Sequence, residues 1–390
     1  MSSEAPKKNT KTANLILAIC LVLLFFFGIA AAAVFFCTNF QAGQNEEQYD
    51  ETTGQVFSSA RSKAANHEYA AALIDYANAI RPVSYKKKKE LLDSFCKALQ
   101  RQEKTDPRIA QAGKLLKAGK YKELDELARE LVDKKESYWN VWKIEQLVDN
   151  LGARQLRDAG EESSEAYEQQ LKELRSWLKA NPDSSCARCS LAECYVAYAW
   201  FARGSGYADT VSDEGWKFMR ERLAKAEAVL TEDKDIWKKT PSAFSTYSTI
   251  ALGTGLEKDR YMKLVDECHH LWPDFNGFDR AACYFLLPRW YGEPGEWEQF
   301  AASRADQIGG AAGDAYYAKL ASQNLRVSGN IFRENSGLSW PRIKNGFKKI
   351  FADYPSSMNA RIAYIKFAQA AADMEALKTT FDGYQLADKY

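Results

Sequence analysis

"DPRIAQAGKLLKAGKYKELDELARELVDK", residues 106–134, sets the fold class. Leu115, Leu116, Leu124, Leu127 and Leu131 recur at three- and four-residue intervals, the spacing that gathers apolar side chains on one face of a helix. "KAGKY" around Gly119 interrupts the stripe, and glycine suits a helix end because it has no Cβ to strain a left-handed backbone. The reading is a helical hairpin.

The pattern recurs along the chain. "HEYAAALIDYANAIRP" stops at Pro82, "LKELRSWLKANPDS" at Pro182 and "FKKIFADYPSS" at Pro355, each an amphipathic helix closed by a proline-containing turn. Alternating strand-like runs are scarce. Helix pairs of about 34 residues characterise tetratricopeptide arrays, in which stacked neighbours bury a shared core. The spacing here is irregular, so the expected class is all-α, a tetratricopeptide-like helical-repeat array without a strict register. Residues 152–165 and 325–338 read as loops between blocks.

One segment belongs to a different solvent. "NLILAICLVLLFFFGIAAAAVFFC" runs from Asn14 to Cys37 without a charge, long enough as a helix to cross about 30 Å of hydrocarbon. A cleaved signal peptide has a shorter apolar region and a small-residue site at its end, whereas the alanines here are followed by "VFFC". Lys7, Lys8 and Lys11 precede the span and Glu46, Glu47, Asp50 and Glu51 follow it, which places the amino terminus in the cytoplasm and the rest outside. The polar stretch after it reads as a stalk. The expected organisation is a basic tail at 1–13, a transmembrane helix at 14–37, a stalk at 38–56, an N-terminal helical segment at 57–105, a main array at 106–324, a loop at 325–338 and a helical pair at 339–390.

Composition narrows the function classes. The 390 residues carry 53 Lys and Arg against 52 Asp and Glu, so no overall field favours nucleic acid. The run at Lys86–Lys89 suits either an anionic lipid surface or a solvated helix face. Cys96, Cys186, Cys189, Cys194, Cys268 and Cys283 lie beyond the span. Outside the cytoplasm a pair of them could form a disulfide, but "CARCSLAEC" spaces its thiols like packing residues along a helix. "DECHHLW", with Cys268, His269 and His270, offers only one weak partner set for zinc, so no metal is expected. His67, His269 and His270 are the only histidines, and no G-x-S-x-G elbow accompanies them. "RGSG" follows a helix-like run where a dinucleotide site needs a strand, so no cofactor is expected.

Two dense stretches remain. In "RGSGYADTVSDEGWKFMRERL", residues 203–223, Ser212 is placed to cap a helix with Asp213 and Glu214 in its first turn. Trp216, Met219, Leu223, Ala226 and Leu230 then form a buried stripe. In "LLPRWYGEPGEWEQFA", residues 286–301, prolines and glycines force a turn that Trp290, Tyr291 and Trp297 can clamp. Arg203, Tyr207, Trp216, Trp290 and Trp297 are the candidates for a structural corner or a binding surface, since Trp, Tyr and Arg dominate interface energetics. The rival reading pairs Asp209 or Glu214 with Glu293 or Glu296 as the acid and base of a hydrolase.

Together the two stretches resemble the bacterial domain-of-unknown-function family 4034, through Ala199, Trp200, Arg203, Gly204, Gly206, Ala208, Val211, Gly215, Trp216 and Phe218, then Leu287, Pro288, Trp290, Gly292, Pro294, Gly295, Trp297 and Phe300. The resemblance extends over roughly 106–382 through the 115–131 hairpin and the closing "FADYPSSMNARIAYIKFAQAAADMEAL". Tyr291 stands where the family pattern has glycine, so the local turn is not carried over. The resemblance implies a helical-repeat array and no activity; together with the anchor the expected location is the bacterial inner (cytoplasmic) membrane. The resulting expectation is a single-pass membrane protein that binds a protein or peptide outside the cytoplasm; an envelope hydrolase and a cysteine-based redox or metal role follow as alternatives.

Overall fold

The structure is a computed structural model and describes residues 54–66, 68–80, 85–100, 106–325, 331–332, 336–382 and 384. The expected span, most of the stalk, His67 and the side chains of Lys86–Lys89 therefore lie outside the described residues. No helix among the described residues is long and apolar enough to cross a membrane. Two compact units divide the chain, one up to Phe95 and one from Cys96 to Tyr390.

The first unit contains α1 (54–65), α2 (Tyr69–Ile80) and most of α3 (Tyr85–Gln100). The expected stalk is thus helical from residue 54. Phe57, Leu73, Tyr76 and Phe95 fill its core, with the Tyr76 and Phe95 rings stacked at 4.8 Å. Lys63 and Ser59 both donate to Asp75 at 2.7 Å and hold its carboxyl below the usual carboxylate range.

The second unit opens on the expected hairpin. Asp106 caps α4 (Pro107–Lys117), Gly119 turns the chain at φ +69°, and α5 (Tyr121–Asp133) buries Leu124, Leu127, Ala128 and Leu131. Next comes α6 (Lys143–Asp149), followed by a π turn (Asn150–Arg154) and α7 (Gln155–Ala159). Residues 152–159 are thus helical where a loop was expected. The glycine that ends this segment is Gly160, at φ +69°. Gly152 has a packing role, because a Cβ there would lie 2.7 Å from Cγ of Glu193.

Helices α8 (Ser164–Ala180) and α9 (Ser185–Arg203) stop and start at the expected Pro182 turn. They are followed by α10 (Asp213–Thr231), the single turn α11 (Ile236–Lys239), α12 (Ser242–Thr254) and α13 (Lys258–Leu271). The array continues with α14 (Gly277–Phe285), α15 (Glu296–Ile308), α16 (Gly310–Ser322), α17 (Trp340–Asp353), α18 (Met358–Ala370) and α19 (Met374–Lys378). Among the described residues the β structure is one isolated bridge, Ser137 to Trp142. Within the stack α6, α9, α12, α14 and α16 pack in succession as one layer. The middle helix, α9, is buried nearly all round, which its small residues Ala187, Cys189, Ser190, Ala192 and Cys194 permit by letting neighbours approach.

The segment joining α5 to α6 does more than connect them. Arg108 and Lys143 sit between Asp106 and Glu136 in four ion pairs of 2.6–3.0 Å, which pin its start. Trp139 then packs on Phe347 of α17 at 5.8 Å, and Asn140 donates to Ser322 Oγ at 2.7 Å and to the Lys319 carbonyl at 3.3 Å. Asn276 donates to the Asn140 side chain at 2.9 Å, and Trp142 meets Phe275 edge-on at 5.2 Å. The first hairpin of this unit is thereby fastened to its later helices, so the array closes on itself.

Candidate functional site

The two dense stretches converge. Arg203 ends α9, and its Nη1 donates to the carbonyls of Gly204 at 3.1 Å and Gly206 at 2.9 Å, curling the chain over the helix end. Gly204 has φ +74° with ψ near 180°, a conformation open to glycine and strained for other residues. Ser212 Oγ accepts from the Gly215 amide at 3.1 Å, the expected cap, and Asp213 and Glu214 occupy the first turn of α10. A Cβ on Gly215 would meet the Ala202 carbonyl at 2.9 Å, so glycine is what lets α10 begin against the end of α9.

Above this corner the side chains form a stack. The Arg203 guanidinium lies 5.4 Å from the Trp216 ring and 5.6 Å from the Trp200 ring. Trp200 meets Trp290 edge-on at 6.2 Å, and Arg289 lies 5.5 Å from Trp290 and 5.4 Å from Tyr284. Arginine over an aromatic face contributes about 0.5–1 kcal/mol where exposed and more where desolvated. The indole N–H groups of both Trp200 and Trp290 are buried without a hydrogen-bond partner. Tyr291 anchors the second corner, stacking on Phe285 at 4.6 Å and donating to the Leu252 carbonyl at 2.8 Å. A second ladder adjoins, with Arg222 3.2 Å from the Tyr198 ring centroid and Tyr167 stacked on Tyr198 at 4.8 Å.

Of the five corner candidates, Arg203, Trp216 and Trp290 join this stack, and Tyr207 projects from its edge, 86% exposed. Trp297 does not: it is 3% exposed on α15 and fills the core, so its role is structural. Trp200 was absent from the candidates because it reads as one more apolar position of α9. Its meeting with Trp290 makes it part of the site.

Two of the four acid candidates serve as helix starts. Glu214 lies in the first turn of α10 and Glu296 in the first turn of α15, where the positive helix end favours a carboxylate. Glu296 is held by Lys258 at 3.0 Å and accepts the Glu293 amide at 2.8 Å, while Asp209 and Glu293 are exposed. Among the described residues no hydrogen bond or ion pair joins Asp209 or Glu214 to Glu293 or Glu296. A cavity of about 490 Å³ lies elsewhere, lined by Asp125, Arg129, Asn181, Ser184, Lys239 and Thr240.

Cys186, Cys189, Cys194, Cys268 and Cys283 are free and buried, and Cys96 is buried. Burial pushes the Cys189 thiol up to about 12 and raises Cys186, Cys194, Cys268 and Cys283 as well, which keeps them as unreactive packing groups. No group of three or more His, Cys, Asp or Glu among the described residues is placed to hold a metal ion.

Three buried polar clusters escaped the linear reading. Glu145 of α6 takes Arg280 of α14 at 2.8 and 3.1 Å, with both side chains 12% exposed, and also accepts from Ser245 Oγ at 3.0 Å. Asp279, fully buried, accepts from Tyr316 at 2.7 Å and faces Arg304 at 3.3 Å and His269 at 3.7 Å, tying α13 to α16; its burial raises its pKa. Glu193 accepts from Thr246 at 3.1 Å, and burial, then the Asp149 charge, push it up to about 7. Arg157 opposes that rise.

Glu193 yields a pH prediction. The folded carboxyl holds its proton more tightly than the unfolded one, so its contribution to stability is intact below 4.5, declines as pH rises through about 7, and is flat above. Glu193→Gln removes the titration. Discounted for the part of the side chain that meets solvent, the variant is expected to be more stable than the parent by roughly 2 kcal/mol at about pH 8 and equal to it near pH 4. Urea unfolding at the two pH values measures this, and a constant difference between parent and variant would refute it.

No family model matches the chain, and no curated protein or solved structure matches it either.

Proposed function

We propose that the chain is a single-pass, membrane-anchored protein related to the domain-of-unknown-function family 4034, whose extracytoplasmic, tetratricopeptide-like array binds a protein or peptide. The observation that carries the reading is the Trp200–Trp290 contact at 6.2 Å, which unites two stretches distant in sequence into one half-exposed face of Trp, Tyr and Arg. Such residues present large contact areas at little entropic cost and dominate binding energy where they cluster. The uncharged run Asn14–Cys37 and its flanking charges support the anchor and its orientation. The acids at helix starts and the buried thiols favour neither alternative.

Proximity labelling in intact cells tests this with the full chain and a Tyr207→Ala, Arg289→Ala double variant. Both side chains are exposed, so the fold is expected to be unaffected. A defined set of proteins labelled by the parent is expected to fall about tenfold or more in the variant, as for the loss of two hot-spot side chains. Equal labelling by an equally abundant variant would remove this face from the interface.

A further inference from the structure

The cavity of about 490 Å³ lies wholly within the Cys96–Tyr390 unit, between α5, the turn joining α8 to α9, and the end of α11. That size suits a small molecule. Its walls are held in place. Asn181 and Ser184 both donate to the Asp125 carboxylate of α5, and Ser184 Oγ also accepts the Ala187 amide at 3.0 Å to cap α9. Arg188 donates to the Pro182 carbonyl at 3.3 Å and to the Val229 carbonyl at 2.9 Å, which ties the same turn to α10. Ala128, Val132 and Ile144 supply an apolar side. Charges of both signs line the cavity without meeting. Both oxygens of Asp125 accept neutral donors, and among the described residues no cation pairs with Asp125, Asp133 or Asp183. Lys239 is taken by Asp233 at 2.7 Å, while Arg129 has no ion pair or hydrogen bond among the described residues. Asp125 and Arg129 stand four residues apart on α5, so their side chains leave the helix as neighbours, with Cβ atoms about 5–6 Å apart. Such neighbours commonly pair; here the Asn181–Ser184 turn holds the carboxylate instead.

We propose that this cavity binds an α-amino acid with an apolar side chain, its ammonium at Asp125 and Asp183 and its carboxylate at Arg129. This site is separate from the aromatic face, and the proposal does not depend on that reading. An amino acid carries its two charges side by side on one carbon, as α5 carries Asp125 and Arg129 side by side on one face, and the apolar side of the cavity accommodates the rest. The two donors on Asp125 fix its carboxylate beforehand, so binding costs it little ordering. The amino terminus of a peptide has the ammonium and lacks the carboxylate, which makes it the poorer match for Arg129.

Leucine, leucinamide and N-acetylleucine, titrated separately into the purified full chain at constant ionic strength and followed by calorimetry, provide the test. Leucine keeps both charges; leucinamide keeps only the ammonium, as a peptide's amino terminus does, and N-acetylleucine keeps only the carboxylate. Saturable binding of leucine at millimolar concentration or tighter is expected, with each blocked compound at least about tenfold weaker, as for the loss of one charge-assisted hydrogen bond. Arg129→Met is expected to bind leucine no better than the parent binds leucinamide, at an unchanged melting temperature, because exposed Arg129 has no partner to lose. Lys122→Met, at an exposed position of the same helix outside the cavity, is expected to bind leucine like the parent. Absence of saturable leucine binding, a blocked compound that binds as tightly as leucine, or equal weakening in both variants overturns the proposal.

Discussion

Glu145→Ala is expected to destabilise the Cys96–Tyr390 unit by about 3–5 kcal/mol, the usual consequence of leaving one member of a buried ion pair behind. The Glu145 carboxylate receives the Arg280 Nη2 on both oxygens, Ser245 Oγ at 3.0 Å and the Trp142 amide at 3.0 Å, so the substitution strands donors from three residues at once. Arg280→Ala is expected to cost a similar amount. The double variant Glu145→Leu, Arg280→Met is expected to recover most of the loss, because two apolar side chains of comparable volume need no counter-charge. Urea unfolding of the four proteins gives the coupling energy. If the two single substitutions simply add, α6 and α14 are not held together by this pair.

Gly346→Ala is expected to cost about 3 kcal/mol, the upper range for forcing a methyl group into a filled contact. A Cβ there would lie 2.1 Å from the Asp314 carbonyl oxygen, a backbone atom that no rotamer change can move. Helix α17 can approach α16 only through this glycine, and Ile343, Phe347 and Ile350 are buried on the same helix. The melting temperature should fall by several degrees and the unfolding slope should stay unchanged. An unchanged melting temperature would mean that the two helices sit further apart than described.

Much of this architecture is legible locally. Gly119, Pro182 and Pro355 mark helix ends where they fall, and Ser212 caps α10 as its position before Asp213 and Glu214 implies. The expected stripe is buried from Met219 to Leu230, but Trp216 at its head is half-exposed because it turns toward Arg203. Residues 152–159 read as loop because Gly152, two arginines and an aspartate dilute the apolar period, yet they form a π turn and a helical turn against α9. The glycine that looked like a breaker is there for the side chain of Glu193.

The candidate site was half visible. Arg203, Trp216 and Trp290 stood out by residue type, but neither their convergence nor the part played by Trp200 has a signal in the linear chain. Trp297 looked equivalent to Trp290 and is not, since Trp290 lies half-exposed in the turn before α15 and Trp297 is buried in the first turn of that helix. Glu145, Arg280 and Glu193 look like solvated charges when read singly, because nothing within a few residues shows that each will be covered.

By itself the sequence determined the all-helical class, most helix ends, the cap of α10 and which faces are apolar. Those properties come from backbone strain at glycine and proline and from side chains three or four residues apart, all within one or two turns. Only the tertiary structure decided that the segment after α5 closes the array on α14, α16 and α17, that two distant corners share a face, and that Glu145 and Arg280 meet as a buried pair. Such pairings depend on where helices cross after packing, and the same charged residue is solvated or buried according to what arrives beside it.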